Sequence, residues 1–149
     1  MNESGEAIPI VAMGGGHGLA ATLTALREIT TDITALVTVA DNGGSSGRLR
    51  KEFGVMPPGD LRMALAALCA DDEWGRGWAQ VLQHRFTSDG ELNGHSVGNL
   101  LLTALWEIYV DPVIGLARVG DLLRVVGRVL PMSSIPLEIE ARVRENSGA

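Results

Sequence analysis

The chain has 149 residues, of which 46% are hydrophobic, and it carries a formal net charge of −6. This length and composition are typical of one globular domain with its own core, and the acidic balance argues against nucleic-acid binding. A single cysteine excludes an internal disulfide, and no signal peptide or membrane-spanning stretch is recognisable, so we expect a cytoplasmic protein without membrane insertion.

The N-terminal third predicts a β-α-β unit. Residues 1–7 are expected to be disordered, and the apolar run at 8–13 predicts a strand that is buried on both faces. The leucines that follow recur at i, i+4 and i+7, which predicts a helix that ends near Ile29. A β-branched run at 33–40 predicts a second buried strand. Because a helix separates the two strands, we expect them to be parallel.

A glycine-rich loop joins the first strand to the first helix. It consists of Gly14, Gly15, Gly16, His17 and Gly18. The N-terminus of the helix offers unpaired N–H groups there, so the loop predicts a phosphate site, with a purely structural tight turn as the alternative. The spacing only partly fits the dinucleotide pattern, because Leu19 stands where a third small residue is expected, and no P-loop lysine follows.

A second loop follows the second predicted strand. Its sequence, "ADNGGSSGRLR" at 40–50, contributes Asp41, Asn42, Gly43, Gly44, Ser45, Ser46 and Arg48 as candidate ligand residues. The carboxyl ends of parallel strands lie at one edge of a sheet, so we expect both loops to meet there. An ordinary flexible turn would explain the glycines, but it would not explain an aspartate and two arginines beside a second glycine-rich loop.

The middle of the chain is predicted to be helical. "PPGDLR" at 57–62 opens a helix, and Gly59, Asp60 and Arg62 have two interpretations. Asp60 is either the N-cap of this helix or a ligand of a sugar hydroxyl or a metal, and Arg62 is a candidate phosphate ligand.

Polar residues precede the most apolar segment of the chain. The loop at 92–99 carries His95 and Asn99, which either hydrogen-bond within the loop or contact a ligand. The segment at 97–110 is apolar nearly all round, which predicts a buried central helix. Asp111 is the predicted N-cap of the next helix, and "GRVLPM" at 127–132 predicts a third strand.

The C-terminal segment alternates strictly between apolar and charged residues. The stretch at 137–144, "LEIEARVR", predicts a half-exposed strand that lacks a partner. We therefore expect a single domain over 8–149, truncated on its C-terminal side, whose sheet is incomplete or ends in an edge strand. A homodimer formed through that unfinished sheet is a further expectation.

Five segments together resemble one protein family. "GGGHGL", "VTVADNGGSSGRLR", "PPGDLR", "LNGHSVGNLLL" and "GRVLPMSSIPLEIEARV" are similar to signatures of the YvcK-type proteins, often called gluconeogenesis factors, within the superfamily of CofD, the 2-phospho-L-lactate transferase. The resemblance implies an α/β, Rossmann-like three-layer fold with a mostly parallel sheet and a helical middle section. It also implies a UDP-sugar ligand such as UDP-N-acetylglucosamine, no required cofactor, and a role in cell shape and wall synthesis during gluconeogenic growth.

Two positions depart from the family pattern. His17 stands where many members have threonine, and Asn42 stands where many have a second aspartate. The alternative function is that of a 2-phospho-L-lactate transferase of deazaflavin coenzyme synthesis, for which Asp41 and Asp60 would hold Mg²⁺. The loss of a carboxylate at Asn42 argues against that alternative. A dinucleotide-dependent oxidoreductase is the third hypothesis. The sequence identifies no catalytic residue and no regulatory partner protein.

Overall fold

A computed structural model describes residues 7–143 of the chain, and in that range it contains three strands and six helices. In chain order these are β1 (Ile10–Gly14), α1 (Gly16–Leu26), β2 (Ile33–Val37), α2 (Gly44–Phe53), α3 (Gly59–Leu68), α4 (Glu73–Gln83), α5 (Val97–Ile108), α6 (Pro112–Leu123) and β3 (Arg128–Pro131). Over the same range, none of the helices has the length and apolar character needed to cross a membrane.

The three strands form one parallel sheet in the order β1-β2-β3. Ala12 lies beside Ala35, and Ala35 lies beside Val129, so one row of small or branched side chains crosses all three strands. The predicted α/β class, the parallel β-α-β unit and the helical middle section are confirmed.

The hydrophobic core lies between one face of this sheet and the helices. Helix α1 packs on β1 and α3, α3 also contacts β2 and β3, and α6 packs on β3. The opposite face of β1 is open, since Val11 and Met13 are each 65% exposed. The prediction that this first strand is buried on both faces is therefore wrong. Of the three layers expected, residues 7–143 supply the sheet and one helical side.

Several element boundaries differ from the prediction. The first helix ends at Leu26 rather than near Ile29, and β2 ends at Val37 rather than at residue 40. The largest difference is α2 (Gly44–Phe53), because the segment 40–50 was expected to be a loop. Helix α5 is also not buried all round: Leu102 is buried, whereas Ile108 is 69% exposed.

The predicted C-terminal strand is absent from the described part of the segment. Residues 137–143 form no strand, and Leu137 makes one backbone hydrogen bond, from its N–H to the carbonyl of Val39. Alternation alone cannot create a strand, because a ladder needs a neighbouring strand, and none is paired with this segment in residues 7–143. The predicted disorder of residues 1–7 lies, apart from Ala7, outside the described residues.

Candidate functional site

The predicted loops meet at a cavity of about 630 Å³ at the carboxyl edge of the sheet. The N-terminal ends of α1, α2 and α3 all open into it, and α5 closes its base. The residues that line it are Gly16, His17, Asp41, Gly43, Gly44, Ser45, Ser46, Arg48, Gly59, Asp60, Arg62, Met63, Arg85, Gly94 and Asn99.

Most of the site residues predicted from sequence are thus brought together, and their ligand contacts stay predictions. Those that do not line the cavity are Gly14, Gly15, Gly18, Asn42 and His95. Three lining residues were missed, namely Met63, Arg85 and Gly94. No motif surrounds Arg85, which follows α4 in a segment without glycine or serine repeats, so nothing in the local sequence marked it.

Three helices begin at the cavity without a side-chain cap, and two of them, α1 and α2, also have no acidic residue in their first turn. Gly15 and Gly43 are the N-cap residues of α1 and α2, neither supplies a side-chain cap, and neither helix has an acidic residue in its first turn. The other three helices differ, because α4, α5 and α6 are capped by the side chains of Asp72, Ser96 and Asp111. Orphan N–H groups at the first two helices are therefore left for an anion.

Helices α1 and α2 both begin with a glycine in the left-handed region. Gly16 has φ +60° and Gly44 has φ +49°, and no neighbouring atom would lie within 4 Å of a Cβ at either position. Other residues rarely adopt this conformation, so glycine is needed at both positions. The open space beside each Cα lets a ligand approach the backbone.

Asp60 does not cap α3, contrary to the first interpretation of its role. The N-cap is Pro58, whose backbone is already helical, and Asp60 lies in the first turn. Its Oδ2 accepts a hydrogen bond of 3.1 Å from the Thr38 hydroxyl. The N–H of Gly59 donates to Ser46 Oγ at 3.1 Å, which ties the start of α3 to α2.

A buried hydrogen-bond network lies below the cavity and joins three helices. Asn99 accepts from Arg62 Nε at 2.9 Å through Oδ1, and donates through Nδ2 to Ser45 Oγ at 3.0 Å. The Ser45 hydroxyl lies 2.9 Å from His95 Nδ1. The side chains of His95 and Asn99 are thus hydrogen-bonded to residues of α2 and α3 rather than within the 92–99 loop, and a ligand contact for either stays a prediction. Asn99 also lines the cavity.

Arginine dominates the electrostatics of the site. Burial, followed by the like charge of Arg85, lowers the pKa of Arg62 to about 10, while the Asp60 carboxylate opposes this shift. Arg62 therefore stays protonated at neutral pH. Arg48 is held in place by the carbonyls of Asn93 and Glu91, at 2.6 and 3.2 Å from its guanidinium nitrogens.

A metal ion has two carboxylates available in this cavity. Asp41 accepts from the Gly43 N–H through Oδ1 at 2.8 Å, and Asp60 uses Oδ2 for Thr38, so each keeps one carboxylate oxygen without a described partner. Mg²⁺ is commonly held by one or two carboxylates together with substrate phosphates, and the pair fits that requirement. Among residues 7–143 there is no group of three histidine, cysteine or acidic side chains that could hold a metal without a substrate.

His95 is expected to make stability depend on pH. Burial, and then the charge of Arg48, lowers the pKa of His95 below its ordinary value of 6.5. A neutral His95 with an unprotonated Nδ1 accepts a hydrogen bond from the Ser45 hydroxyl. His95 is protonated more readily in the unfolded chain than in the folded one. Its contribution to the free energy of unfolding is therefore complete above about pH 6.5 and is lost as the pH falls below that value. We expect a lower melting temperature at about pH 5.5 than at about pH 7.5.

His95→Asn is the matched variant for this prediction, since its Oδ1 replaces the Nδ1 acceptor and does not titrate in this range. The variant should lose most of the difference in melting temperature between the two pH values. Asp72, whose pKa is also lowered, titrates below 3.8 and does not contribute there. Equal pH dependence in wild type and variant would assign the effect to another group.

A comparison with family models matches residues 10–148 to the family described as "2-phospho-L-lactate transferase CofD". A relative from Mycobacterium leprae, provisionally named a gluconeogenesis factor, is 60% identical over 143 residues, which are 96% of this chain. The gluconeogenesis factor of Bacillus subtilis is 41% identical over 141 residues, or 95% of this chain.

A crystal structure of a Bacillus halodurans protein is similar to the fold. It superimposes with a TM-score of 0.82 at 44% identity, covering 88% of this chain and 41% of that one. The chain also spans 40% of the Mycobacterium leprae relative and 44% of the Bacillus subtilis relative. The similarity therefore concerns less than half of each of these longer proteins.

Proposed function

The chain belongs to the CofD family, and from that premise we propose that it is a regulatory protein that binds a UDP-sugar in the cavity at the carboxyl edge of its sheet. UDP-N-acetylglucosamine is the ligand that we propose first. The role is that of a gluconeogenesis factor, the name carried by its relatives, acting in the cytoplasm on cell shape and wall synthesis during gluconeogenic growth.

One observation carries this proposal: the N-termini of α1 and α2, which have neither a side-chain cap nor an acidic residue in the first turn, open into the same arginine-lined cavity. Each N-terminus carries about half a positive charge, and each begins with a glycine that leaves its backbone accessible. A diphosphate concentrates negative charge in one place, so the amides of both N-termini and the arginines of the cavity attract it. The cavity volume of about 630 Å³ also lies in the usual range for small-molecule sites.

The remaining lining residues have roles that follow from their chemistry. Amides at Gly16, Gly44 and Ser45 would bind phosphate oxygens, and the free carboxylate oxygens of Asp41 and Asp60 would accept from sugar hydroxyls. The serine that lies against a histidine, Ser45, is buried and is also hydrogen-bonded by Asn99, so we assign its hydroxyl to the network and propose a binding role rather than catalysis. A homodimer and a regulatory protein partner belong to the proposal as well.

Isothermal titration with UDP-N-acetylglucosamine tests the proposal. We expect saturable heat with a dissociation constant below about 1 mM, the affinity of a ligand with roughly 4 kcal/mol of binding free energy. N-acetylglucosamine without the nucleotide should give no saturable heat, because it lacks the diphosphate. The absence of heat from UDP-N-acetylglucosamine at millimolar concentration would overturn the proposal.

A phosphoryl-lactate transferase is the second candidate, favoured by the family description and by two carboxylates at the cavity. In that case Asp41 and Asp60 would hold Mg²⁺, which would neutralise charge on the donor phosphates. Incubation with a deazaflavin acceptor, an activated phospholactate donor and Mg²⁺ should then yield the phospholactyl product. No product from the wild type or from Asn42→Asp would reject this candidate.

A further inference from the structure

Three arginines line the cavity, Arg48, Arg62 and Arg85, and Arg48 uses both of its terminal nitrogens for backbone carbonyls. Arg62 and Arg85 form no ion pair with any residue in the described range 7–143, whereas four other arginines do. The Asp60 carboxylate opposes the lowering of the Arg62 pKa, and its Oδ2 is already bonded to Thr38. Arg62 and Arg85 therefore line one cavity, and no ion pair within residues 7–143 offsets the charge of either.

The surrounding residues fix Arg62 in position. It is only 4% exposed, and its Nε donates to Asn99. Gly98 makes room for its aliphatic stem, since a Cβ there would lie 2.8 Å from both Cγ and Cδ of Arg62. Within the described part of the chain, neither terminal nitrogen of Arg62 has a hydrogen-bond partner. A buried guanidinium with two free terminal nitrogens at a cavity is suited to bidentate binding of an oxyanion.

Arg85 is held by the backbone next to the same cavity. Its Nη1 donates to the carbonyl of Gly94 at 2.8 Å, and its main chain bridges to Ser96, the N-cap of α5. Gly94 also lines the cavity and has φ +76°, a backbone conformation that favours glycine. Arg85 is thus positioned before any ligand arrives, although the side chain is exposed.

We propose that Arg62 and Arg85 form a second phosphate subsite, separate from the amides of α1 and α2, and that Arg85 makes the site prefer diphosphates to monophosphates. This inference rests on the proposed function, because it assigns the second phosphate of the same ligand. The helix N-termini neutralise one phosphate, and the two unpaired guanidinium groups neutralise the next.

Titrations of UDP, UMP and inorganic pyrophosphate into wild type and Arg85→Ala test the subsite. In the wild type, UDP should bind at least tenfold more tightly than UMP. Arg85→Ala should raise the dissociation constants of UDP and pyrophosphate about tenfold, while the dissociation constant of UMP should change less than about twofold. Arg76→Ala is the matched control: this exposed arginine pairs with Asp71 on the surface, so its variant should bind all three like the wild type.

The outcomes separate the subsite from the proposed function. An unchanged ratio of UDP to UMP affinity in Arg85→Ala would overturn the subsite and leave UDP-sugar binding intact. Binding of pyrophosphate that depends on Arg85, without any binding of uridine nucleotides, would support the subsite and overturn the proposed ligand. No binding of any of the three by the wild type would overturn both. Because Arg85 is exposed, an unchanged melting temperature is expected and confirms that the variant folds.

Discussion

Asn99→Leu is expected to destabilise the folded chain by about 3 to 5 kcal/mol and to weaken ligand binding at least tenfold. Asn99 is 1% exposed, and its amide satisfies both Arg62 and Ser45. Leucine has a similar size but leaves a charged donor and a hydroxyl acceptor buried without their partner. The loss is large because each unsatisfied buried polar group adds its own desolvation free energy.

Urea unfolding and calorimetric titration measure the two effects. Thr103→Val is the matched control, since Thr103 lies one turn further along α5, is also buried, and donates only to the Asn99 carbonyl in its own helix. We expect it to change the free energy of unfolding by less than about 1.5 kcal/mol. A comparable loss in both variants would mean that the network adds nothing beyond ordinary helix packing.

Gly15→Ala is expected to destabilise the chain by about 2 to 3 kcal/mol and to impair binding, because the added methyl group has no space. Its Cβ would overlap Asp60 Oδ2 and Thr38 Oγ1, the two atoms that hydrogen-bond at 3.1 Å. The φ of Gly15 is −159°, an extended conformation that alanine adopts readily, so the effect is steric. Relief of the overlap would break that hydrogen bond and move Asp60.

Gly18→Ala, in the first turn of α1, is the control for stability. No atom would lie within 4 Å of its Cβ, and the residue is already helical, so alanine should leave the chain unchanged or stabilise it by up to about 1 kcal/mol. Thermal unfolding of both variants decides the matter. If Gly15→Ala has the same melting temperature as Gly18→Ala, neighbouring atoms move to accommodate the added methyl group at little cost, and the steric explanation is wrong.

The strands were predictable because their signal is local. The runs that became β1, β2 and β3 are apolar or β-branched and bounded by glycine or polar residues, and these features lie within a few residues of one another. Helix α2 could not be found in the same way. Its first residues, Gly-Ser-Ser-Gly, are poor helix formers, and the contacts that support it, such as that of Ser45 with Asn99, come from distant parts of the chain.

The site was predictable where a motif marked it and not elsewhere. Glycine loops after parallel strands must share one sheet edge, which is why Gly16 and Gly44 meet as expected. Arg85 has no such marker, and only the bond to Gly94 and the bridge to Ser96 place it there. The strand predicted for the C-terminal segment was also wrong because of distant contacts. Alternation indicates which residues would share a face of a strand, but it does not show whether a neighbouring strand is present to pair with it.

The network beneath the cavity also bears on how the chain folds. Its hydrogen bonds join residues that are 37, 50 and 54 positions apart. Each helix can form locally and fast, but these partners meet only after long loops have closed. A partly folded chain would therefore show most of its helical signal before it can hold a ligand. During refolding, recovery of binding should lag behind recovery of helicity.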